Sequence, residues 1–132
     1  MRRSVLIIED SPSTADLARW TLLDLACEVE VADNAPLALD LLRGRFSPRL
    51  MVVDAFLQGV QPLTFFEELH AAAPAAVMVL LVDRGVAAPT WHGIGAQVAK
   101  PLQPRRFGCV VAELLAGADA AGGDETGTSL GT

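Results

Sequence analysis

The chain has 132 residues, of which 52% are apolar, 5% aromatic and 20% charged, with ten Lys and Arg against sixteen Asp and Glu. A single domain of this size and apolar content buries an aliphatic core, which excludes a disordered chain and a disulfide-stapled miniature scaffold. The formal charge of −6 argues against nucleic-acid binding, whose affinity comes largely from Lys and Arg on phosphates, and favours a cationic partner or a bound metal.

Asp119, Asp124 and Glu125 lie in the final stretch, and residues 1–116 carry ten basic and thirteen acidic residues with no basic run. Cys27 and Cys109 lack metal-ligand spacing and are expected as free thiols in a reducing compartment. The longest apolar run, Ala71 to Val82, is broken by Pro74 and is too short for a membrane span. Met1-Arg2-Arg3 followed by "SVLII" starts like a signal peptide, but Glu9 and Asp10 end the apolar part early, so the chain is expected in the cytoplasm.

Val5 to Ile8 is short, apolar and β-branched, as a strand buried on both faces of a parallel sheet requires. Ser11 or Ser13 can cap a helix running to about Leu25, with Leu17, Trp20 and Leu23, joined by Ala18 and Leu22, as its apolar side. Trp20 is expected in or beside the core. Cys27 to Ala32 alternates with Glu28 and Glu30 and suits an edge strand. Pro36 to Leu42 predicts a second helix with Leu37, Leu41 and Leu42 facing inward and Gly44 as its stop.

Leu50 to Val53 predicts a third strand that ends in Asp54, and Pro62 opens a third helix through Ala72. In that helix Phe65 and Phe66 read as packing residues, and His70 as a solvated cation at the helix end. Val77 to Val82 is a fourth strand. Gly85, Pro89, Gly93 and Gly95 leave room for one or two helical turns at most between Asp83 and Gly95, where Trp91 and His92 read as a packed connector. Gln97 to Ala99 is a short fifth strand, and Pro104 to Leu115 a last helix with Phe107, Val110, Val111, Leu114 and Leu115 as its apolar side. Residues 117–132, rich in Gly, Thr and acid, are expected as a disordered tail or linker behind a single domain of residues 1–116. The alternation gives an α/β fold, a parallel sheet covered on both faces.

In such sheets ligand chemistry collects at the carboxyl ends of the strands. Glu9 and Asp10 end the first strand, Asp54 the third and Lys100 the fifth. Clustered carboxylates repel unless a cation sits among them, and a hard divalent ion such as Mg²⁺ answers that need with oxygen ligands. A carboxylate beside such an ion and an ammonium is a candidate nucleophile toward a phosphoryl group. Lys100 is the single lysine among nine arginines, and its compact ammonium makes a point contact that a planar guanidinium reproduces poorly.

The run "VLIIEDSPSTADLARWTLLDLACEVEVADNAPLALDLLRGRFSPRLMVVDAFLQG" resembles the first half of a response-regulator receiver domain of two-component signalling, and "GIGAQVAKPLQPRRF" resembles its closing strand, Lys-Pro and last helix. The likeness covers about Val5 to Leu115, and the ordered set of acid pair, central Asp and Lys-Pro is specific where each alone is weak. It implies a doubly wound five-stranded parallel sheet of the flavodoxin-like receiver kind, with a fourth helix that is short or irregular here. It also implies Asp54 as phosphoacceptor and Asp10 as a direct Mg²⁺ ligand, with Glu9 helping through water and the Phe56 backbone carbonyl as a further metal oxygen. Lys100 would hold the phosphoryl group, and its bond to Pro101 would be cis. A histidine kinase or phosphotransfer protein would be the partner, with the downstream protein unnamed, homodimerisation open, and neither nucleic acid nor membrane engaged.

Two positions depart from the pattern. The Thr or Ser that closes the fourth strand falls, by counting along "VMVLLVD", on Leu81, which cannot donate a hydrogen bond. The aromatic residue of the fifth strand falls on Gln97. Two readings stay in view: a phosphorylatable receiver with altered coupling, and a pseudo-receiver that binds protein without a phosphorylation switch. A small phosphohydrolase is disfavoured, because its paired aspartates would stand two residues apart after the first strand and nothing supplies a substrate cap. The chain is therefore not read as an enzyme.

Overall fold

The computed structural model describes residues 3–131, with side chains through Asp119. Strand β1 (Arg3–Ile8) leads into helix α1 (Pro12–Asp24), then β2 (Cys27–Ala32), α2 (Ala35–Arg43), β3 (Leu50–Asp54), α3 (Pro62–Ala72), β4 (Val77–Asp83), β5 (Ile94–Lys100) and α4 (Pro104–Gly131). All strand pairs are parallel in the order β2-β1-β3-β4-β5. The doubly wound five-stranded fold expected from the sequence is the fold observed.

Side-chain alternation along the strands builds two cores. Val5, Ile7, Leu50, Val52, Val79, Leu81 and Val98 pack on one face with Ala18 and Leu22 of α1 and Phe107, Val111 and Leu115 of α4. Leu6, Ile8, Met51, Val53, Met78 and Leu80 pack on the other with Leu42 of α2 and Phe65, Phe66 and Leu69 of α3. Each of these Val, Leu, Ile, Met and Phe side chains contributes about 1.5–3 kcal/mol on burial. The central strands are buried on both faces, whereas β2, at the sheet edge, keeps Glu28 and Glu30 in solvent.

The inward sides of the first two helices differ from expectation. In α1 the buried set is Ala15, Ala18 and Leu22, and Trp20 is 60% exposed, not core. Two alanines let α1 lie close to the sheet, which turns the bulkier Trp20 and Leu23 toward solvent. In α2 Leu37 is likewise exposed, and Ala38, Leu39 and Leu42 face inward. The third helix matches its expected span, with Phe65 and Phe66 buried and Pro62 in its first turn.

Between β4 and β5 no helix forms. The chain turns at Gly85, whose φ of +77° an L side chain would oppose, and continues without regular secondary structure past Pro89. Trp91 fills the place of a helix: its ring lies 6.0 Å from Phe66 and 5.6 Å from His70, and its Nε1 donates to Glu67 Oε1 at 2.7 Å. β5 starts at Ile94, three residues before the expected Gln97, because Gly95 lets the strand press against Val77 where a Cβ would stand 2.7 Å from Val77 Cγ1.

α4 continues beyond the expected end at Leu115, helped by the helix-favouring Ala112, Ala116 and Ala118. Asp119 on this helix pairs with Arg49 and, at 3.4 Å, with Arg3, which ties α4 to the amino ends of β1 and β3. The expectation of a disordered tail falls mainly on residues 120–132, whose side chains lie outside the described ones. No helix among the described residues is long and apolar enough to cross a membrane.

Candidate functional site

Three strands deliver charge to one end of the sheet. Glu9 directly follows β1, where its backbone N–H donates to Ala32 O at 3.1 Å and fixes the turn toward α1. Its carboxylate is 1% exposed; Oε2 accepts from the Ser11 backbone N–H at 3.1 Å. Oε1 lies 2.7 Å from Lys100 Nζ and has no other polar partner among the described residues. Asp10 points into solvent and accepts at Oδ2 from the Gln58 backbone N–H at 3.1 Å, which draws the loop after β3 over the site.

Asp54 is the last residue of β3 and is 5% exposed. Its Oδ1 accepts from the Phe56 N–H at 2.9 Å and lies 3.5 Å from Lys100 Nζ. Lys100, half-buried at the end of β5, thus bridges two carboxylates from two other strands. The Lys100–Pro101 peptide bond is cis.

Burial pushes the Glu9 carboxyl up to about 7, outweighing the nearby Lys100 ammonium, and the neighbouring Asp54 adds to the rise. For Lys100 burial alone would lower the pKa, but the hydrogen bond to Glu9 and the charges of Glu9, Asp54 and Asp83 hold it above its usual value. The ammonium is therefore the charge carrier that keeps two buried carboxylates together.

One oxygen from each of Glu9, Asp10 and Asp54 falls within 4.8 Å of the others. Three hard oxygen donors at this spacing fit a small divalent cation such as Mg²⁺. Asp10 and Asp54 open onto a cavity of about 460 Å³ that Ser11, Phe56, Gln58, Asp83 and Lys100 also line, and Glu9 is buried behind them. Glu9, Asp10, Asp54 and Lys100 are thus brought together as the sequence anticipates, with Phe56 at the rim.

Neither of the two departing positions lines the cavity. Leu81 is fully buried in the core beneath α1 and α4, beside Asp54 in register, and does not line the cavity. β4 runs two residues further, so its side chain at the cavity is Asp83 rather than Leu81. Sequence reasoning missed Asp83, although an apolar strand closed by an acid is the signal that found Glu9 and Asp54. Gln97 is exposed on β5, on the face opposite Val98, where no helix connects β4 and β5.

Solved structures with this fold include response-regulator receiver domains. A CheY-like response regulator receiver domain from Methanospirillum hungatei JF-1 matches with a TM-score of 0.79 and 22% identity over 92% of this chain and 99% of its own. The N-terminal domain of a response regulator/sensory box/GGDEF three-domain protein from Carboxydothermus hydrogenoformans gives 0.78 and 21% over 90% and 98%. NtrX from Brucella abortus gives 0.83 and 22% over 96% of this chain and 29% of the longer one. No protein-family profile and no curated protein sequence matches the chain. At these identities the likeness is one of fold, and the chain has the receiver fold.

Proposed function

We propose that this domain is the receiver of a two-component phosphorelay, accepting a phosphoryl group on Asp54 and signalling through protein contacts rather than as an enzyme. The observation that supports this reading most is the Lys100 ammonium set between Glu9 and Asp54, at the mouth of a cavity whose acids can hold Mg²⁺. A phosphoryl transfer needs a positioned nucleophile and fixed positive charge around the transferring oxygens. Asp54 provides the first: a carboxylate oxygen forms the new P–O bond as the donor's leaving group departs with the electron pair of the old one. Its Oδ1 is already held by the Phe56 N–H, which orients the carboxylate toward the cavity.

Lys100 needs only to turn from Glu9 to meet a phosphoryl oxygen, since its stem already reaches the cavity. Glu9, Asp10, Asp54 and the Phe56 carbonyl would hold Mg²⁺, which when bound offsets the charge of the incoming group. The phosphodonor would be a histidine kinase or phosphotransfer protein in the cytoplasm. Residues 1–116 form the receiver unit in this reading, and α4 carries the chain on beyond it, with Asp119 paired back to Arg3 and Arg49.

Incubation with acetyl phosphate and Mg²⁺ should add one phosphoryl group, seen as an acid-stable, base-labile mass increment that Asp54→Asn abolishes. A second reading, the pseudo-receiver, is favoured by Gln97 standing exposed on β5 in place of the aromatic residue of the receiver pattern. An unchanged mass at every Mg²⁺ concentration would decide for it.

A further inference from the structure

A fourth carboxylate opens on the same cavity, and it belongs to the strand that the receiver pattern closes with a hydroxyl. Asp83 ends β4, is exposed, lines the cavity with Asp10, Asp54 and Lys100, and is the register partner of Lys100 across the β4–β5 pair. The Val86 N–H donates to Asp83 O at 3.1 Å, so the turn that follows holds its backbone in place. No cation among the described residues pairs with Asp83 within salt-bridge distance. Its field acts on Lys100, whose ammonium it helps to keep charged.

We propose that Asp83 sets the charge preference of the cavity: it strengthens the hold on a divalent cation and opposes a phosphoryl group on Asp54. This deepens the phosphorelay reading and rests on it. The reasoning is electrostatic. A phosphoryl group brings nearly two negative charges to Asp54, and the cations available to meet them are Lys100 and the metal. Asp83 beside Lys100 cancels part of that positive field and stands near the incoming oxygens. The same charge adds to the field of Glu9, Asp10 and Asp54 that draws Mg²⁺. One residue therefore moves the two ligands in opposite directions, which neither a packing role nor a general effect of net charge would do.

Asp83→Asn keeps the shape and removes the charge. At saturating Mg²⁺ its rate of labelling by acetyl phosphate should rise roughly tenfold over the wild type at low ionic strength, and less at high salt. Its Mg²⁺ dissociation constant, measured calorimetrically with the metal alone, should rise about threefold or more. Asp83→Ala should follow Asp83→Asn in both. Glu30→Gln, the same charge change on the distant edge strand, should alter neither. Equal labelling and equal Mg²⁺ affinity in Asp83→Asn and wild type would overturn the role of Asp83 and leave the phosphorelay reading standing. So would a matching response in Glu30→Gln. Failure of every protein to take a phosphoryl group would remove the phosphorelay reading, and an unchanged Mg²⁺ affinity in Asp83→Asn would then also remove the inference.

Discussion

The carboxyl end of the sheet has two halves built on different terms. On the β1–β3 side, buried carboxylates are held by backbone N–H groups and by one ammonium reaching across from β5, so each charge has a fixed partner. On the β4–β5 side no helix connects the two strands, Gln97 is exposed on the face of β5 opposite α4, and Trp91 packs the connector over α3. The first half is costly to assemble and chemically specific. The second is a packed strap in which Trp91, Ala88 and Ile94 lie against the core. Under the phosphorelay proposal, the chemistry would belong to the first half, and the second half is where this chain departs from the receiver pattern.

The sharpest way to probe the charged half is through Glu9. Its carboxyl is raised to about 7, so the folded protein keeps a proton that the unfolded chain releases above about 4.5. A raised pKa gives stability that is fully present below the unfolded value and is lost as pH climbs through the folded one. In metal-free buffer the wild type should lose up to about 3 kcal/mol from this group as pH rises from below 4.5 to above 7. Glu9→Gln, which stays neutral, should not show that loss. Denaturation midpoints that run parallel with pH in the two proteins would mean that Glu9 is not the strained member of the cluster.

Trp91→Ala tests the other half. Removing a half-buried indole that covers Phe66 and satisfies Glu67 should cost about 2 kcal/mol. Trp20→Ala, on the exposed side of α1, should cost under about 0.5 kcal/mol. Equal losses at the two tryptophans would contradict the placement of Trp91 as the cover of this face.

Much of this was legible because strands of a doubly wound sheet declare themselves: "VLII", "LMVV" and "VMVLLV" are continuous apolar runs, and the residue after each run is a candidate for the ligand end. That rule located Glu9 and Asp54, and the Lys-Pro pair located Lys100. The same signal stands at Asp83, which follows "VMVLLV" and ends β4 one residue beyond the expected Val82, while Leu81 is the register partner of Asp54. Trp20 misled. Periodicity identifies which residues share a helix face but not which face turns inward, and in α1 the small Ala15 and Ala18 allow the closer approach. Asp119 was assigned to the tail because pairing with Arg3 and Arg49 lies more than 60 residues away in sequence.

The smallest effect joins the two halves. If Glu9, Asp10 and Asp54 bind Mg²⁺ in the folded state only, the metal stabilises by mass action: ten times its dissociation constant yields about 1.4 kcal/mol. Asp10 carries no structural burden comparable to that of Glu9, being exposed and bonded only to the Gln58 N–H, so Asp10→Ala should fold and melt near the metal-free wild type. Mg²⁺ should then raise the melting temperature of the wild type by a few degrees and that of Asp10→Ala by much less. Trp91→Ala, although less stable from the start, should gain the same increment as the wild type, because the indole touches α3 and not the cavity. An increment retained in Asp10→Ala would remove the metal from the acid cluster. One lost in Trp91→Ala would show that the strap and the pocket act as a single unit, with the β4–β5 connector transmitting what happens at Asp54.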